Sequence, residues 1–212
     1  MADGKGERRL GEVDLARVAA LSDGIFAVAM TLLVVALPLP KSAGELSGVT
    51  LREYLLTLLP PVRAILISFF IAAVFWRAHH RLFRCLARGD GMLVWLNFLL
   101  LFAVVVMPLS THLLGNFRLE SLTVGLYAAN LALIAGSLFL MWLRAAVRRA
   151  LLHHDIGAAE LRHALWITAV TALVFLASIG VAWHAPQWAV WIWLLILPLS
   201  LLGPRRPAAK AR

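Results

Sequence analysis

The sequence predicts an all-α membrane protein with six transmembrane helices. Hydrophobic residues make up 62% of its 212 residues, against roughly 45–50% in a soluble domain, and the mean hydropathy is +0.86. They form runs of about 17–25 residues, the length with which an α-helix crosses a bilayer. We therefore predict spans near residues 17–39, 58–80, 92–114, 121–143, 163–184 and 187–203.

The distribution of lysine and arginine predicts that both termini are cytoplasmic. Six spans put sixteen of the twenty basic residues on one side: in or next to the N-terminal segment 1–14, in the loops after spans two and four, and in the basic tail 204–212. The other side holds Lys41, Arg52, Arg63 and Arg118. Cytoplasmic loops are enriched in these residues. Since the basic clusters lie between apolar runs, with no soluble basic domain to present them, we expect no nucleic-acid partner.

Two local signals refine the spans. Thr50-Leu51-Arg52-Glu53 fits a capping box and predicts a short helix from Thr50 in the first external loop. Pro198 predicts a kink or an early end in the sixth span, because proline lacks the backbone donor of a helix interior.

Span one carries Ser22, Asp23 and Thr31 within its apolar run. A carboxylate in such a segment costs roughly 2.5–3.5 kcal/mol on insertion scales, so it is held by protein or water. We expect Asp23 to pair with a side chain of similar depth in span two or three. The candidates are Trp76, His79, His80 and Asn97. The residues alone leave open a structural network and a functional site.

A second feature of span one is a stripe at helical spacing, made by Val28, Thr31, Leu32 and Val35 at i, i+3, i+4 and i+7. Such a stripe forms one face of a helix. On spacing alone, this face is interpreted as a helix-packing surface.

Motifs of enzymes are missing: there is no HExxH, no GxSxG and no P-loop. We therefore predict a protein that is not an enzyme and needs no cofactor. The single Cys85 allows neither an intrachain disulfide nor a Cys-based metal site. Adjacent His79 and His80 point about 100° apart on a helix, so we predict no metal site there either.

Several motifs resemble those of a known family. Residues 17–24, RVAALSDG, resemble the RxxxFSDG signature of the transmembrane protein 175 family, the lysosomal potassium channels and their prokaryotic relatives. Further matches lie in residues 75–83, FWRAHHRLF, at Asn97, and in residues 107–111, MPLST. The resemblance covers the first three spans; the last three match in number and hydropathy.

The resemblance implies a homotetramer in which four copies of the first helix line a central pore. Carried onto this chain, Val28, Leu32 and Val35 would form an apolar constriction, and Thr31 the layer linked to potassium preference. A polar network would lock the pore helix to spans two and three through Arg17, Ser22, Asp23, Trp76, His79, His80 and Asn97. Two residues depart from the family pattern: Leu21 replaces a phenylalanine, and Val28 replaces isoleucine or leucine.

The function we predict is a potassium-permeable cation channel in a prokaryotic inner membrane, with permeation of other monovalent cations or protons left open. An alternative is a proton-coupled secondary transporter in which Asp23 and a histidine of span two exchange protons. A third is a membrane scaffold that transports nothing.

Overall fold

The computed structural model describes residues 14–35, 37–40, 48–117, 120–189 and 191–193. Within these ranges the fold is all-helical, as predicted. The elements are α1 Leu15–Val35, α2 Leu51–Thr57, α3 Leu59–Cys85, α4 Gly91–Asn116, α5 Ser121–Val147, a short 3-10 helix Arg149–Leu151, and α6 Ala158–His184. Residues 186–189 and 191–193 are also helical.

Five of these helices, α1, α3, α4, α5 and α6, are long and apolar enough to cross a membrane. They correspond to the first five predicted spans. The sixth, 187–203, begins in the helical residues 187–189 and 191–193. Its remainder lies outside the described residues, as do Pro198, the tail 204–212 and residues 1–13.

Helix α1 begins and ends earlier than the sequence predicts. The Asp14 carboxylate accepts a hydrogen bond from the Arg17 backbone N–H at 3.3 Å, which caps a start at Leu15. The helix ends at Val35, not near residue 39. A residue before proline is biased away from helical conformation, and Pro38 therefore stops the helix.

The later helices run past the predicted spans at their charged ends. Helix α3 continues to Cys85, five residues beyond residue 80, and α6 begins at Ala158, five residues before residue 163. A hydropathy window stops at Arg81 or Arg162, whereas the helices continue past these charged residues. Hydropathy thus locates the part of a helix in hydrocarbon, not its full length.

The predicted capping box is present at α2. Thr50 Oγ1 accepts from the Glu53 backbone N–H at 3.3 Å, and the Thr50 N–H donates to Glu53 Oε2 at 2.9 Å. The backbone hydrogen bond from Thr50 lowers the pKa of the Glu53 carboxyl. Helix α3 follows at once, with proline in its first turn.

Helix α5 is the centre of the described bundle. It packs against α4 and α6, whereas α1 packs against α3 and α4. Side chains bury 61% of the most apolar window of α5 but only 22% of that of α1. Helices α3 and α4 approach closely at one end, where a Cβ on Gly115 would meet Pro61 Cα at 2.8 Å. Helix α1 therefore lies on the side of the bundle with most of its surface uncovered.

Candidate functional site on helix α1

A buried chain of hydrogen bonds ties α1 to α3 and α4. The Asn97 side-chain amide donates to Ser22 Oγ at 3.1 Å, and Ser22 Oγ donates to the Val18 carbonyl at 2.8 Å. On the other side, Asn97 Oδ1 lies 2.8 Å from His79 Nε2. Ser22, Asn97 and His79 are each at most 1% exposed. The structure thus brings together three of the seven residues predicted for the network.

The direction of these bonds follows from the amide. Because Asn97 Oδ1 has only lone pairs to offer, the His79 Nε2 atom must carry the proton. The His79 ring lies between Phe26 and Phe83, with ring centroids 5.8 Å and 4.4 Å away. Its Nδ1 atom is buried and has no hydrogen-bond partner in the part of the chain that the structure describes. The hydrogen-bonded chain is thus buried beside aromatic rings, and one ring nitrogen of His79 is left over.

Asp23 belongs to a separate pair. Trp76 Nε1 donates to Asp23 Oδ1 at 2.8 Å. His80 stacks on the Trp76 ring at a centroid distance of 5.6 Å. Of the four candidate partners that the sequence offers, Trp76 is therefore the one that binds Asp23. Neither histidine is hydrogen-bonded to it, and no group of three metal-ligating side chains is found, among residues 14–193 as far as they are described.

Arg17 lies at the same end of α1, but its side chain is not part of either set of bonds. Its backbone N–H caps the helix on Asp14, and the residue is exposed. Its membership of the network remains a prediction.

The predicted stripe of α1 lies on its uncovered face. Val28, Leu32 and Val35 are 57%, 45% and 75% exposed, and Thr31 is exposed as well. The covered residues are Ser22, Phe26, Ala29 and Leu33. At about 100° per residue, Val28, Thr31 and Val35 point almost opposite to these. The stripe does not pack against the rest of the described chain.

An apolar groove of about 430 Å³ runs along this face, between α1 and the exposed side of α4. Its floor contains Gly24, which has nothing within 4 Å of the position of a Cβ. It is lined by Ala20, Leu21, Gly24, Ile25, Val28, Ala29, Leu32 and Val105. Leu21, the residue that departs from the family signature, therefore lies at the groove surface.

A second buried polar cluster lies nearer the other end of the bundle, and sequence reasoning missed it. Thr111 Oγ1 donates to Ser68 Oγ at 2.8 Å, and Ser68 Oγ lies 2.8 Å from Tyr127 Oη. Nearby, the Asn130 amide donates to Ser110 Oγ at 3.3 Å. Its members are a few hydroxyl and amide side chains spread over α3, α4 and α5. The only sequence signal was the MPLST segment.

Comparison with known proteins identifies the family. A family model described as the endosomal/lysosomal potassium channel TMEM175 matches residues 17–108, which hold most of α1, all of α2 and α3, and most of α4. The chain is 35% identical over 150 residues to a potassium channel of Chamaesiphon minutus, covering 67% of this chain and 73% of the relative. It is 36% identical over 118 residues to a potassium channel of Streptomyces collinus, covering 56% of each.

A solved structure agrees with the fold. The crystal structure of a lysosomal potassium-selective channel TMEM175 homolog from Chamaesiphon minutus is similar with a TM-score of 0.79 and 28% identity, over 89% of this chain and 97% of that one. The matched segment carries Ser22 and Asn97, and both the sequence relatives and the helical bundle agree with it. The chain therefore belongs to the TMEM175 family and is an integral, multi-pass membrane protein.

Proposed function

We propose that the protein is a potassium-permeable cation channel in which α1 of four copies lines a central pore. The observation that carries the proposal is the orientation of α1. Its polar residue Ser22 and the aromatic Phe26 face the bundle, while Val28, Thr31, Leu32 and Val35 are exposed. The match to the family model described as a potassium channel includes these residues, since it covers 17–108. The exposed stripe is then the pore surface.

The arrangement of copies follows from the surfaces of one subunit. One helix cannot enclose a pore, so several copies of α1 must meet. The groove beside Gly24 and Val105 is an apolar surface on which α1 of a neighbouring copy could pack. That contact would cover surface that is exposed in the single subunit. Small residues such as glycine let helix backbones approach closely in a membrane.

A ring of valine and leucine would act as a hydrophobic constriction. Such a ring has no oxygen with which to replace the water around an ion, so a narrow ring is a barrier and opening requires wetting. Val28 is one methylene smaller than isoleucine or leucine, which favours a wider ring. The barrier in this chain should therefore be lower than in relatives with the larger residues.

Thr31 supplies the polar atom of the stripe. Its hydroxyl donates to the Val28 carbonyl of the same helix at 2.8 Å. The proton is thus directed at the backbone, and the lone pairs of the oxygen stay free to accept. Oxygen lone pairs are what a partly dehydrated potassium ion needs, so we assign the selectivity layer to Thr31.

The buried chain would set the rotation of α1. Turning the helix by one residue, about 100°, would remove Ser22 from Asn97 and carry Asp23 away from Trp76. Each interhelical hydrogen bond in a membrane contributes roughly 0.6 kcal/mol and at most about 1.7 kcal/mol. Together with Phe26, these bonds hold the stripe toward the pore axis. Asp23 and Ser22 are positioning residues in this proposal.

The test is single-channel recording of the purified protein in planar bilayers under opposing potassium and sodium gradients. We expect ohmic current with a reversal potential closer to the equilibrium potential of potassium than to that of sodium. In Thr31→Val, the preference for potassium should fall while total current changes less, because the substitution removes a hydroxyl at nearly constant volume. Thr171→Val is the matched control, since its hydroxyl likewise donates to its own helix, to Ile167 at 2.7 Å.

Three outcomes would contradict the proposal. Equal changes in Thr31→Val and Thr171→Val would remove Thr31 from the permeation path. Saturating flux that needs a proton gradient would support the carrier that uses Asp23 and a histidine. A correctly assembled protein without any flux would support the scaffold.

A further inference from the structure

Backbone hydrogen bonds join two loops at the arginine-rich end of the subunit. Residues 86–90 connect α3 to α4, and residues 148–157 connect α5 to α6. Leu86 and Leu152 form an antiparallel bridge. The N–H groups of Ala87 and Arg88 donate to the Leu151 carbonyl at 2.8 and 3.2 Å. The His153 N–H donates to the Cys85 carbonyl at 3.0 Å. The backbones of the two loops are therefore held close together.

This arrangement gathers positive charge. The basic patch consists of Arg88, Arg148 and Arg149, which are all exposed. Arg88 is fixed through its own backbone bond to Leu151, which lies two residues from Arg149. In the patch, Arg149 Nη1 makes one long contact, to the Ile156 carbonyl at 3.5 Å. No carboxylate pairs with these three guanidinium groups among the described residues.

The Asp90 carboxylate interacts electrostatically with Arg148, but its hydrogen bonds go to other groups. Asp90 Oδ2 accepts from Arg144 Nε at 3.0 Å and from Arg144 Nη2 at 2.7 Å, while Asp90 Oδ1 accepts from the Leu93 backbone N–H at 2.9 Å. Asp155 is the other carboxylate of the two loops, and it is exposed to solvent. The patch therefore retains a net positive charge.

Exposed apolar side chains place the patch at the membrane surface. Trp95, on α4, is 74% exposed, and Val147, the last residue of α5, is 73% exposed. Trp95 follows the start of α4 by four residues, roughly 6 Å along the axis at 1.5 Å per residue. Tryptophan concentrates at the level of lipid headgroups. The arginines thus lie at or just beyond the depth of the phosphates.

We propose that the basic patch binds the phosphate headgroup of an anionic phospholipid. Guanidinium groups form paired hydrogen bonds with phosphate oxygens. The two hydrogen-bonded loops carry three guanidinium groups that form no salt bridge with a carboxylate among the described residues. A lipid also accounts for the exposed Val147, which directly precedes Arg148, because its acyl chains would cover that side chain. A free phosphate ion would leave it uncovered.

The proposal is tested by native mass spectrometry of the protein released from nanodiscs of phosphatidylcholine with a minor fraction of phosphatidylglycerol. The wild type should retain phosphatidylglycerol selectively. Each basic residue near a membrane surface strengthens binding about five-fold, so Arg88→Gln/Arg148→Gln/Arg149→Gln should weaken it on the order of 100-fold. Arg52→Gln/Arg63→Gln removes charge at the opposite end of the bundle and should change nothing.

Arg88→Lys/Arg148→Lys/Arg149→Lys serves as a second variant that keeps every charge and thereby guards against a folding defect of the glutamine variant. It should bind phosphatidylglycerol less tightly than the wild type, because an ammonium group cannot form the paired bonds. Unchanged binding in either triple variant, or an equal loss in the opposite-end control, would overturn the proposal. Full displacement of the lipid by millimolar inorganic phosphate would show a free-anion site instead and would equally overturn it.

Discussion

Helices α1 and α5 contrast within one subunit. Both are long enough to cross a membrane, and α1 is the more apolar, with a mean hydropathy of 2.2 in its best window against 1.8 for α5. The subunit nevertheless buries 61% of that window in α5 and only 22% in α1. Hydropathy therefore does not tell which helix is the centre of a membrane protein. A central position requires a surface that neighbouring helices cover, and α5 has one on both sides.

The two helices also differ in how they are held. Helix α5 is fixed by apolar packing on α4 and α6, with Tyr127, Leu131, Ile134 and Met141 all fully buried. Helix α1 is attached along one narrow face, where Ser22 and Asp23 make its polar bonds. If the remaining face of α1 meets other copies of the chain, its exposed residues should behave as buried ones in the assembly.

The largest expected effect is on assembly, and two glycines sharpen the contrast. Gly24 on α1 and Gly180 on α6 are both exposed, with nothing within 4 Å of a Cβ. Leucine favours a helix over glycine by up to about 1 kcal/mol, so neither Gly24→Leu nor Gly180→Leu should destabilise the single subunit. We expect Gly24→Leu to shift the protein largely to smaller species in native mass spectrometry, because leucine blocks a close approach of helices. Gly180→Leu should keep the oligomeric state of the wild type.

An intermediate effect is expected from two buried asparagines. Asn97→Leu keeps the branched shape of the side chain but leaves the His79 N–H without an acceptor, and an orphaned buried donor costs about 1–3 kcal/mol. Asn130→Leu removes one long bond to Ser110 in the α4–α5 region, worth about 0.6 kcal/mol. The free energy of unfolding, measured in detergent mixtures, should fall more in Asn97→Leu than in Asn130→Leu. Equal losses would mean that the α1 attachment is no more sensitive than the core.

The smallest effect concerns Asp90, which connects α4 to α5 and does not involve α1. Partial burial raises the pKa of the Asp90 carboxyl, but hydrogen bonds from Arg144 and the Leu93 N–H outweigh burial and hold that pKa below its usual value of 3.8. A lowered pKa in the folded state gives stability that is present above the unfolded-state pKa and is lost as the pH falls through the folded-state pKa.

Asp90→Asn should therefore lower the melting temperature slightly near neutral pH, and the difference should shrink as the pH falls below about 3.8 and vanish only below the folded-state pKa. Asparagine still caps a helix, so the loss is that of a partly exposed ion pair, about 0.2–1 kcal/mol. Asp155→Asn, in the other loop, should leave the melting temperature unchanged. A difference that persists in acid would assign the effect to packing instead.

Much of the fold could be predicted from sequence because it depends on one-dimensional quantities. Apolar run length located five helices, and the Thr50 capping box located α2. Helix ends were less accessible: Pro38 shortens α1, and the charged ends of α3 and α6 continue beyond the hydrocarbon.

Five of the seven residues named for the polar network make hydrogen bonds between helices, in two separate sets, but the sequence did not predict how they pair. Ser22, Asn97, His79, Asp23 and Trp76 were all named from sequence. The rotation of the helices decides that Trp76 and not a histidine binds Asp23. One amino-acid sequence does not specify that rotation. The Ser68–Thr111–Tyr127 cluster and the hydrogen bonds between the two loops join residues that are far apart in sequence. These residues share no periodic pattern from which their contacts could be predicted.

The central claim, that the Val28 face of α1 lines the pore, is tested most directly by silver ions, a small thiol-reactive cation. In a background where the buried Cys85 is replaced by alanine, Val28→Cys should be blocked irreversibly during single-channel recording. Val34→Cys is the matched control, because Val34 and Val28 are 59% and 57% exposed in the subunit but point about 120° apart on the helix. The account predicts block at position 28 and unchanged current at position 34. Current that survives silver in Val28→Cys, or is blocked in Val34→Cys alone, would contradict it.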